Sequence, residues 1–245
     1  GMKLDQAAGG AIPALGGEDF LQALPPGLAD IRVQSHGRVP TAHFTVEHLW
    51  SIAEAVRNLV AAEDVDGVVI THGTDTLEET AYLLDLVCDS DKPIVVTGAM
   101  RLASDLGYEG FANVEAAIRT ATSDDARGLG TLVVMNGEIH AARDVTKVHT
   151  TAISAFASPE WGPIGRVDPD RVLIARRVLR EHIPAARLEP EVHLLKLAVG
   201  ADERLLHALM RDGRARGIVI EALGGGRVPP WWMPAIREAV EHSIV

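Results

Sequence analysis

The sequence contains one cysteine and fewer basic than acidic side chains. With Cys88 alone, a disulfide framework within the chain is excluded, and a reducing, cytoplasmic location is predicted. We expect Cys88 to be an ordinary, partly buried thiol near a helix end. Lys and Arg number 23 against 34 Asp and Glu, which gives a formal net charge of -11. Because phosphates are bound by clustered basic side chains, this acidic surplus predicts no nucleic-acid partner.

Long apolar runs are also missing. None approaches the roughly 20 residues of a transmembrane helix, so no membrane partner is predicted. The 10 histidines show no metal-site spacing with cysteines or carboxylates. Residues 224–226 are three glycines in a row, without the spacing or the lysine of a nucleotide-binding loop. We therefore predict no metal and no cofactor.

The most informative stretch that is present covers residues 68–80. A run of β-branched residues stops at Gly73 and continues into helix-forming sequence, which predicts a strand, a tight turn and a helix that starts with a capping box of Thr76 and Glu79. N–H groups at a helix start bind anions, and open α/β sheets carry their ligands at the carboxyl ends of strands. Thr74 and Asp75 are therefore candidate site residues, although Thr-Asp before a helix is also typical of a plain N-cap.

Hydrophobic patterning predicts an α/β fold in a chain long enough for one large domain and part of another. We expect an open, mostly parallel sheet with helices on both faces, followed by part of a second, smaller α/β domain. Asn136-Gly137 predicts a tight turn into an antiparallel strand at one side of the sheet. The strands predicted for the first domain are 31–33, 68–71, 94–97, 131–135 and 138–140, and its helices begin at Thr45 and Thr76 or lie near 113–121.

Residues 158–190 have the composition of a linker between domains, since they are rich in proline with scattered arginines. We place the boundary near residue 188, so that residues 1–187 form the first domain including the linker and residues 188–245 form the second. In the second domain we predict strands at 191–198 and 217–221 and helices at 203–211 and 231–242.

The string Thr-His-Gly-Thr-Asp-Thr-Leu-Glu-Glu-Thr-Ala at 71–81 resembles the second signature of the bacterial-type asparaginase/glutaminase family. Residues 97–101, 136–147 and 162–165 carry further motifs in the order that the family has them, and the resemblance extends from about Gly9 to about Pro229. It implies an amidohydrolase that converts L-asparagine, with L-glutamine as a second candidate substrate, to the amino-dicarboxylic acid and ammonia without a cofactor.

The resemblance also implies roles for individual residues. In the family, the residues that match Thr74, Asp75 and Lys147 form a catalytic triad, in which Thr74 offers a hydroxyl, Lys147 a base and Asp75 a carboxylate for the substrate's α-ammonium group. Ser35 matches the residue that holds the α-carboxylate, and His36 follows it where better-known members often have Gln. The predicted substrate-binding residues are Ser35, His36, Gly73, Thr74, Asp75 and Ala99.

Three residues in or near these motifs, His36, Lys147 and Arg143, have ordinary structural alternatives. His36 is more often a solvent-exposed imidazole than a ligand. Lys147 considered alone would be a surface lysine, and its place in the motif is what makes it a site residue. Arg143 is expected to form an ion pair with Asp144 or Glu138 rather than to bind substrate.

The sequence departs from the family pattern near its beginning. The Thr-Gly-Gly-Thr-Ile motif, which supplies a nucleophilic threonine and the first strand, is not found in it, and residues 9–15 would be the remnant of a mobile lid without the family's tyrosine. We expect the chain to be truncated at both ends and to show little or no asparaginase activity as given. The competing functions are a catalytically impaired amino-acid-binding homologue and the asparaginase-like subunit of a tRNA-dependent amidotransferase.

The expected partners are a small amino-acid substrate and further copies of the chain. Family sites are completed by a neighbouring subunit, which implies a homo-oligomer, either a dimer or a tetramer. Arg227 stands where better-known members often have an asparagine that reaches across this interface, so contact between the subunits at the substrate is expected to differ.

Overall fold

The computed structural model describes residues 1–5 and 10–245, and the chain divides into two compact units, Gly1–Ala186 and Arg187–Val245. The helices are α1 Gly17–Leu21, α2 Val46–Ala61, α3 Leu77–Val87, α4 Gly110–Ala121, α5 Arg204–Asp212 and α6 Met233–Glu241. The strands are β1 Met2–Asp5, β2 Gly10–Pro13, β3 Val68–Thr71, β4 Ile94–Thr97, β5 Thr131–Met135, β6 Glu138–Ala141, β7 Thr146–Lys147, β8 Phe156–Ala157, β9 Gly165–Val167, β10 Val172–Ile174, β11 Val192–Lys196 and β12 Gly217–Glu221. Within the described residues, no helix combines the length and the apolar character needed to cross a bilayer.

The main sheet of the first unit has the strand order β10-β9-β6-β5-β4-β3. β3, β4 and β5 are parallel, with Val68 opposite Ile94 and Ile94 opposite Thr131. β6 runs antiparallel to β5, β9 runs antiparallel to β6, and β10 runs antiparallel to β9. The predicted fold class is confirmed, and so is the tight turn at Asn136 and Gly137, with φ of 51° and 76°, that joins β5 to β6.

Helices cover both faces of the main sheet because its buried strands send apolar side chains to either side. On one face α2 and α3 pack against Ile94 and Val96, and on the other α4 packs against Val95 and Leu132. β4 and β5 are buried along their whole length. Each buried Val, Leu, Ile or Met side chain of these two strands contributes about 1.5–3 kcal/mol through the apolar surface that it removes from water. This packing holds the carboxyl ends of the three parallel strands along one edge.

Two stretches of the first unit differ from the sequence prediction. Residues 31–33, predicted as a strand, pair with no strand among the described residues, and Ile31 packs instead on an apolar cluster that contains Phe20 and Val114. Residues 165–174 were expected to be linker, yet they carry β9 and β10, an antiparallel pair of the main sheet. The prolines of the predicted linker lie before, between and after these two strands, where they do not interrupt the ladder.

Cys88 lies at the C-terminal end of α3, as predicted, but its burial is complete rather than partial. Burial raises the pKa of the Cys88 thiol to about 11. The thiolate is the reactive form of cysteine, so Cys88 is an inert core residue at neutral pH.

The second unit contains the parallel pair β11 and β12 together with α5 and α6, and these elements lie where the sequence predicted them. Its apolar core includes Leu206, Trp232 and Ala235. α5 ends at Gly213, whose φ of 73° is the left-handed conformation that glycine adopts without strain. Trp231, which precedes the buried Trp232 in the chain, is 61% exposed.

Candidate active site

Residues 72–76 connect the end of β3 at Thr71 to the start of α3 at Leu77, on the carboxyl edge of the main sheet. α3 begins there because Leu77 is completely buried in the apolar core. The connection is close to the preceding chain, since a Cβ on Gly73 would lie 2.5 Å from Thr41 Oγ1. Glycine is therefore required at position 73 unless Thr41 moves.

The capping box predicted for Thr76 and Glu79 is wrong. Thr76 occupies the N-cap position, but within the described residues its side chain makes no cap hydrogen bond. Thr76 Oγ1 donates instead to the Thr41 carbonyl oxygen at 3.2 Å. The N–H groups at the start of α3 are therefore not occupied by a side-chain cap, and together with the helix dipole they favour an anionic group next to Thr74.

The loop after β4 approaches the loop after β3 because position 98 is a glycine. A Cβ on Gly98 would lie 2.6 Å from the His72 carbonyl oxygen and 3.4 Å from Thr74 Cγ2. The first of these distances is too short for a side chain unless the backbone moves. Gly98 therefore lies directly beside the Thr74 loop, and Ala99 follows it in the chain.

His72 fixes the conformation of the loop before Thr74. Its Nδ1 lies 2.7 Å from the Gly73 carbonyl oxygen, and because a carbonyl only accepts, Nδ1 carries the proton and donates. Nε2 accepts from the Thr80 hydroxyl at 3.0 Å. Burial lowers the pKa of His72, opposed in part by the bond to Gly73, so the ring is neutral at pH 7. We did not single out His72 from the sequence, and its place inside the 71–81 motif was the available signal.

Lys147 reaches the end of β3 from the short strand β7, which pairs with β8. Lys147 Nζ donates to Thr74 Oγ1 at 3.0 Å and lies 3.4 Å from Asp75 Oδ1. The Lys147 side chain is 20% exposed and that of Asp75 is 63% exposed. The structure thus brings together the three residues that the sequence predicted to be catalytic.

This arrangement combines a hydroxyl, an amine and an accessible carboxylate. An amine 3.0 Å from a hydroxyl oxygen can accept its proton when the amine is neutral. The ion pair with Asp75 contributes little to stability, since the Asp75 carboxylate is 63% exposed. Asp75 can therefore exchange the lysine for a cationic group of a ligand at small cost.

Ser35 and His36 lie apart from this cluster in the hydrogen-bond network. Both are exposed, and His36 Nε2 lies 3.0 Å from Ser51 Oγ on α2. No hydrogen bond of the described residues joins either of them to Thr74 or Lys147. The structure agrees with the solvent-exposed alternative for His36, and a substrate contact of Ser35 stays a prediction.

Asn113, which we did not predict as a site residue, ties together the loops after β4 and β5. This buried side chain of α4 donates from Nδ2 to the Gly98 carbonyl oxygen at 2.9 Å, and its Oδ1 accepts the Asn136 N–H at 3.0 Å. The Glu109 carboxylate accepts the Met100 N–H in the same loop. The sequence signal was limited to an asparagine among the mostly apolar residues that α4 buries.

The remaining predictions about the site have mixed outcomes. Arg143 forms the expected ion pair with Asp144, at 3.9 Å. Of the predicted lid at 9–15, Gly9 lies outside the described residues, and Gly10–Pro13 pairs antiparallel with β1. Within residues 1–5 and 10–245, no three His, Cys, Asp or Glu side chains are grouped to hold a metal ion. The predicted homo-oligomer and the role of Arg227 stay predictions.

The sequence and the fold are similar to known proteins. Residues 1–180 match the family described as Asparaginase, N-terminal, and residues 191–245 match the Glutaminase/Asparaginase C-terminal domain. An L-asparaginase of Bacillus licheniformis is 36% identical over 208 residues, which are 84% of this chain and 64% of that protein. A glutaminase-asparaginase of Pseudomonas fluorescens biotype A is 36% identical over 224 residues, 89% of this chain and 61% of that protein.

The same relationship is found in a solved structure. The crystal structure of a probable cytoplasmic L-asparaginase from Campylobacter jejuni superposes with a TM-score of 0.87 at 29% identity, and covers 94% of this chain and 74% of that one. The chain spans less than two thirds of the length of the two curated relatives, at 64% and 61%. The match to the N-terminal family covers most of the chain. The chain belongs to the asparaginase family.

Proposed function

We propose that the protein hydrolyses the side-chain amide of L-asparagine, with L-glutamine as a second candidate substrate, to the amino-dicarboxylic acid and ammonia. The observation that carries this proposal is the 3.0 Å hydrogen bond between Lys147 Nζ and Thr74 Oγ1 at the carboxyl end of β3. Membership of the asparaginase family and the names of the relatives support it. The same reasoning supports a first domain at 1–187 that carries the chemistry and a second at 188–245.

The chemistry follows from the positions of the two side chains. Neutral Lys147 accepts the Thr74 hydroxyl proton while Thr74 Oγ1 attacks the amide carbon, which gives a tetrahedral intermediate. The C–N bond then breaks, and the Lys147 ammonium returns the proton to the leaving ammonia. Water attacks the Thr74 ester, releases the acid and restores the hydroxyl. Lys147 thus serves as base when Thr74 attacks and as acid when ammonia leaves.

Substrate orientation is assigned to charges on either side of Thr74. Asp75 binds the substrate's α-ammonium group in exchange for Lys147, and its 63% exposure leaves it accessible for this. The N–H groups at the start of α3 bind a carboxylate. A complex with aspartate is expected to place a carboxylate beside Gly73 and Thr74, and aspartate bound elsewhere would refute this orientation.

The decisive test is an ammonia-release assay of the protein with asparagine and glutamine, set beside calorimetric titration with aspartate. Lys147→Met and Thr74→Val are expected to lower kcat by about 10²–10⁴-fold, since each removes a partner of the proton transfer. Lys196→Met is the matched control, because Lys196 is a 70% exposed lysine of the second unit. Quenched turnover followed by peptide mass spectrometry locates the acyl group.

The outcomes separate the proposal from its alternatives. An acyl group on a threonine other than Thr74 would leave the hydrolase assignment intact and refute Thr74 as the nucleophile. Aspartate binding without ammonia release would instead support an amino-acid-binding homologue with impaired catalysis. If neither turnover nor binding is detected for asparagine, glutamine or aspartate, the proposed function is wrong.

A further inference from the structure

A carboxylate outside the predicted triad connects its two halves. Glu78 is the second residue of α3, and its side chain accepts the backbone N–H of Lys147, 69 positions later in the chain. Thr74 and Asp75 precede the same helix by a few residues. The Glu78 side chain therefore joins the backbone of Lys147 to the start of α3, which directly follows Thr74 and Asp75 in the chain.

This connection matters because β7 is short, and its neighbours Val145 and Phe156 are held to the core around α3 by apolar packing rather than by polar contacts. β7 has two residues, and it pairs with the equally short β8 rather than with the main sheet. In the described part of the chain, no other hydrogen bond connects the β7 backbone to α3. A bond from an N–H to a carboxylate is charge-assisted and stronger than one between neutral groups. Glu78 is thus the main polar restraint on the position of the Lys147 backbone relative to Thr74.

We propose that Glu78 is a positioning residue that holds Lys147 Nζ within proton-transfer distance of Thr74 Oγ1. The proposal rests on the proposed function, since it assigns a task within that reaction. Lysine has a long flexible side chain, so its amine stays at 3.0 Å from one hydroxyl only while its backbone is fixed. Glu78 contacts the Lys147 backbone rather than a reacting atom, and its effect is therefore exerted through Lys147.

The chain offers variants that separate this role from a general effect of charge. Glu78→Ala removes the acceptor, and Glu78→Asp withdraws it by about 1.5 Å, one carbon–carbon bond. Glu78→Gln keeps an acceptor of the same reach without the charge. Glu79→Ala is the matched control, because Glu79 follows directly on the same helix turn, is exposed and makes no hydrogen bond to β7 in the described part of the chain.

Two readouts are measured on the parent and on each variant. The first is kcat and KM for asparagine. The second is the rate at which Lys147 is reductively methylated by formaldehyde and a borohydride, located by peptide mass spectrometry with Lys92 as internal reference. Lys92 is a suitable reference because its ammonium group donates to the Ala62 carbonyl oxygen, outside the site.

For Glu78→Ala we expect kcat to fall by about 10- to 100-fold, since a misplacement near 1 Å costs up to about 100-fold. KM should change less than about threefold, because Lys147 acts on Thr74 rather than on the ground-state substrate. Lys147 methylation should rise severalfold. Glu78→Asp should show the same changes as Glu78→Ala, and it replaces Glu78→Ala in the comparison if the alanine variant does not fold. Glu78→Gln should restore most of the parent's kcat and most of its slow Lys147 methylation. Glu79→Ala should match the parent in both readouts.

Three results would overturn the proposal. If Glu78→Ala and Glu79→Ala have the same kcat and the same Lys147 methylation rate, the contact of Glu78 has no effect on Lys147. Equal losses in the alanine and glutamine variants would show that the charge acts rather than the acceptor. A fall in kcat without faster methylation would place the effect elsewhere. If the parent releases no ammonia, the proposed function fails, and the methylation rates alone then decide the position of Lys147.

Discussion

Replacing Arg180 by methionine should destabilise the first unit strongly, because it leaves a buried carboxylate without its cation. Asp85 on α3 has a side chain that is 6% exposed, and its Oδ1 accepts the Thr131 N–H at 2.9 Å and lies 3.4 Å from Arg180 Nε. Arg180 also donates to the Cys88 carbonyl oxygen at 3.0 Å. These contacts join α3, the start of β5 and the segment after β10.

The size of the effect follows from the burial of the pair. Burial raises the pKa of Asp85, and the Thr131 N–H and the Arg180 guanidinium lower it only in part. Removing one partner of a buried pair costs about 3–5 kcal/mol. At about 2–4 °C per kcal/mol for a chain of this size, Tm should fall by about 6 to 20 °C.

The assay is urea unfolding of the parent, Arg180→Met and the double variant Asp85→Asn/Arg180→Met. The double variant should lose only about 1–2 kcal/mol, because asparagine keeps an acceptor for the Thr131 N–H and buries no charge. A raised pKa means that the folded state binds the proton more tightly, so stability falls as pH rises above the ordinary Asp pKa of 3.8. The loss in Arg180→Met should therefore be smaller at pH 4.5 than at pH 7. A cost below about 1 kcal/mol, or a double variant no better than the single one, would refute this reasoning.

Two further predictions concern the loop before Thr74. Gly98→Ala should cost about 1–3 kcal/mol in urea unfolding, because its Cβ would lie 2.6 Å from the His72 carbonyl oxygen, whereas Gly37→Ala, with nothing within 4 Å, should stay within about 0.5 kcal/mol. Since burial lowers the pKa of His72 below 6.5, the unfolded state binds more protons under that pH, and stability should fall as pH drops below it. His72→Asn should flatten this slope between about pH 5 and pH 7, while the exposed His43→Asn should leave it unchanged, and an unchanged slope in His72→Asn would count against a buried neutral ring.

The elements whose signals lie within a few neighbouring residues could be predicted from the sequence. α2 begins after Thr45, and the turn at Asn136-Gly137 joins two strands, because capping and turn preferences are local. Residues 31–33 have strand composition, but a strand also needs a partner, which composition does not encode. The capping box failed for a similar reason, since the Thr76 hydroxyl bonds a carbonyl 35 positions away.

Some residues of the candidate site could also be predicted from local sequence, and others could not. Thr74 and Asp75 follow from a strand end and a helix start, whereas Lys147 was predicted only through the family resemblance, because no local rule connects residues 73 positions apart. Glu78 and Asn113 were missed since each acts on backbone groups of distant loops. Backbone groups are present at every residue, so the sequence carries no mark of which one a side chain will bind.

The order of strands in the main sheet also bears on how the chain can fold during synthesis. From β3 to β6, strands that follow one another in the chain are neighbours in the sheet, so each new strand can pair with one already made. Thr74 emerges early in this series, but its amine partner is 73 positions further on, beyond the last of these strands. The Thr74 hydroxyl can therefore meet the Lys147 amine only after β3 to β6 have been made, and before β9 and β10 are made. A nascent chain can have four strands of this sheet formed while still lacking the pairing of Thr74 with Lys147.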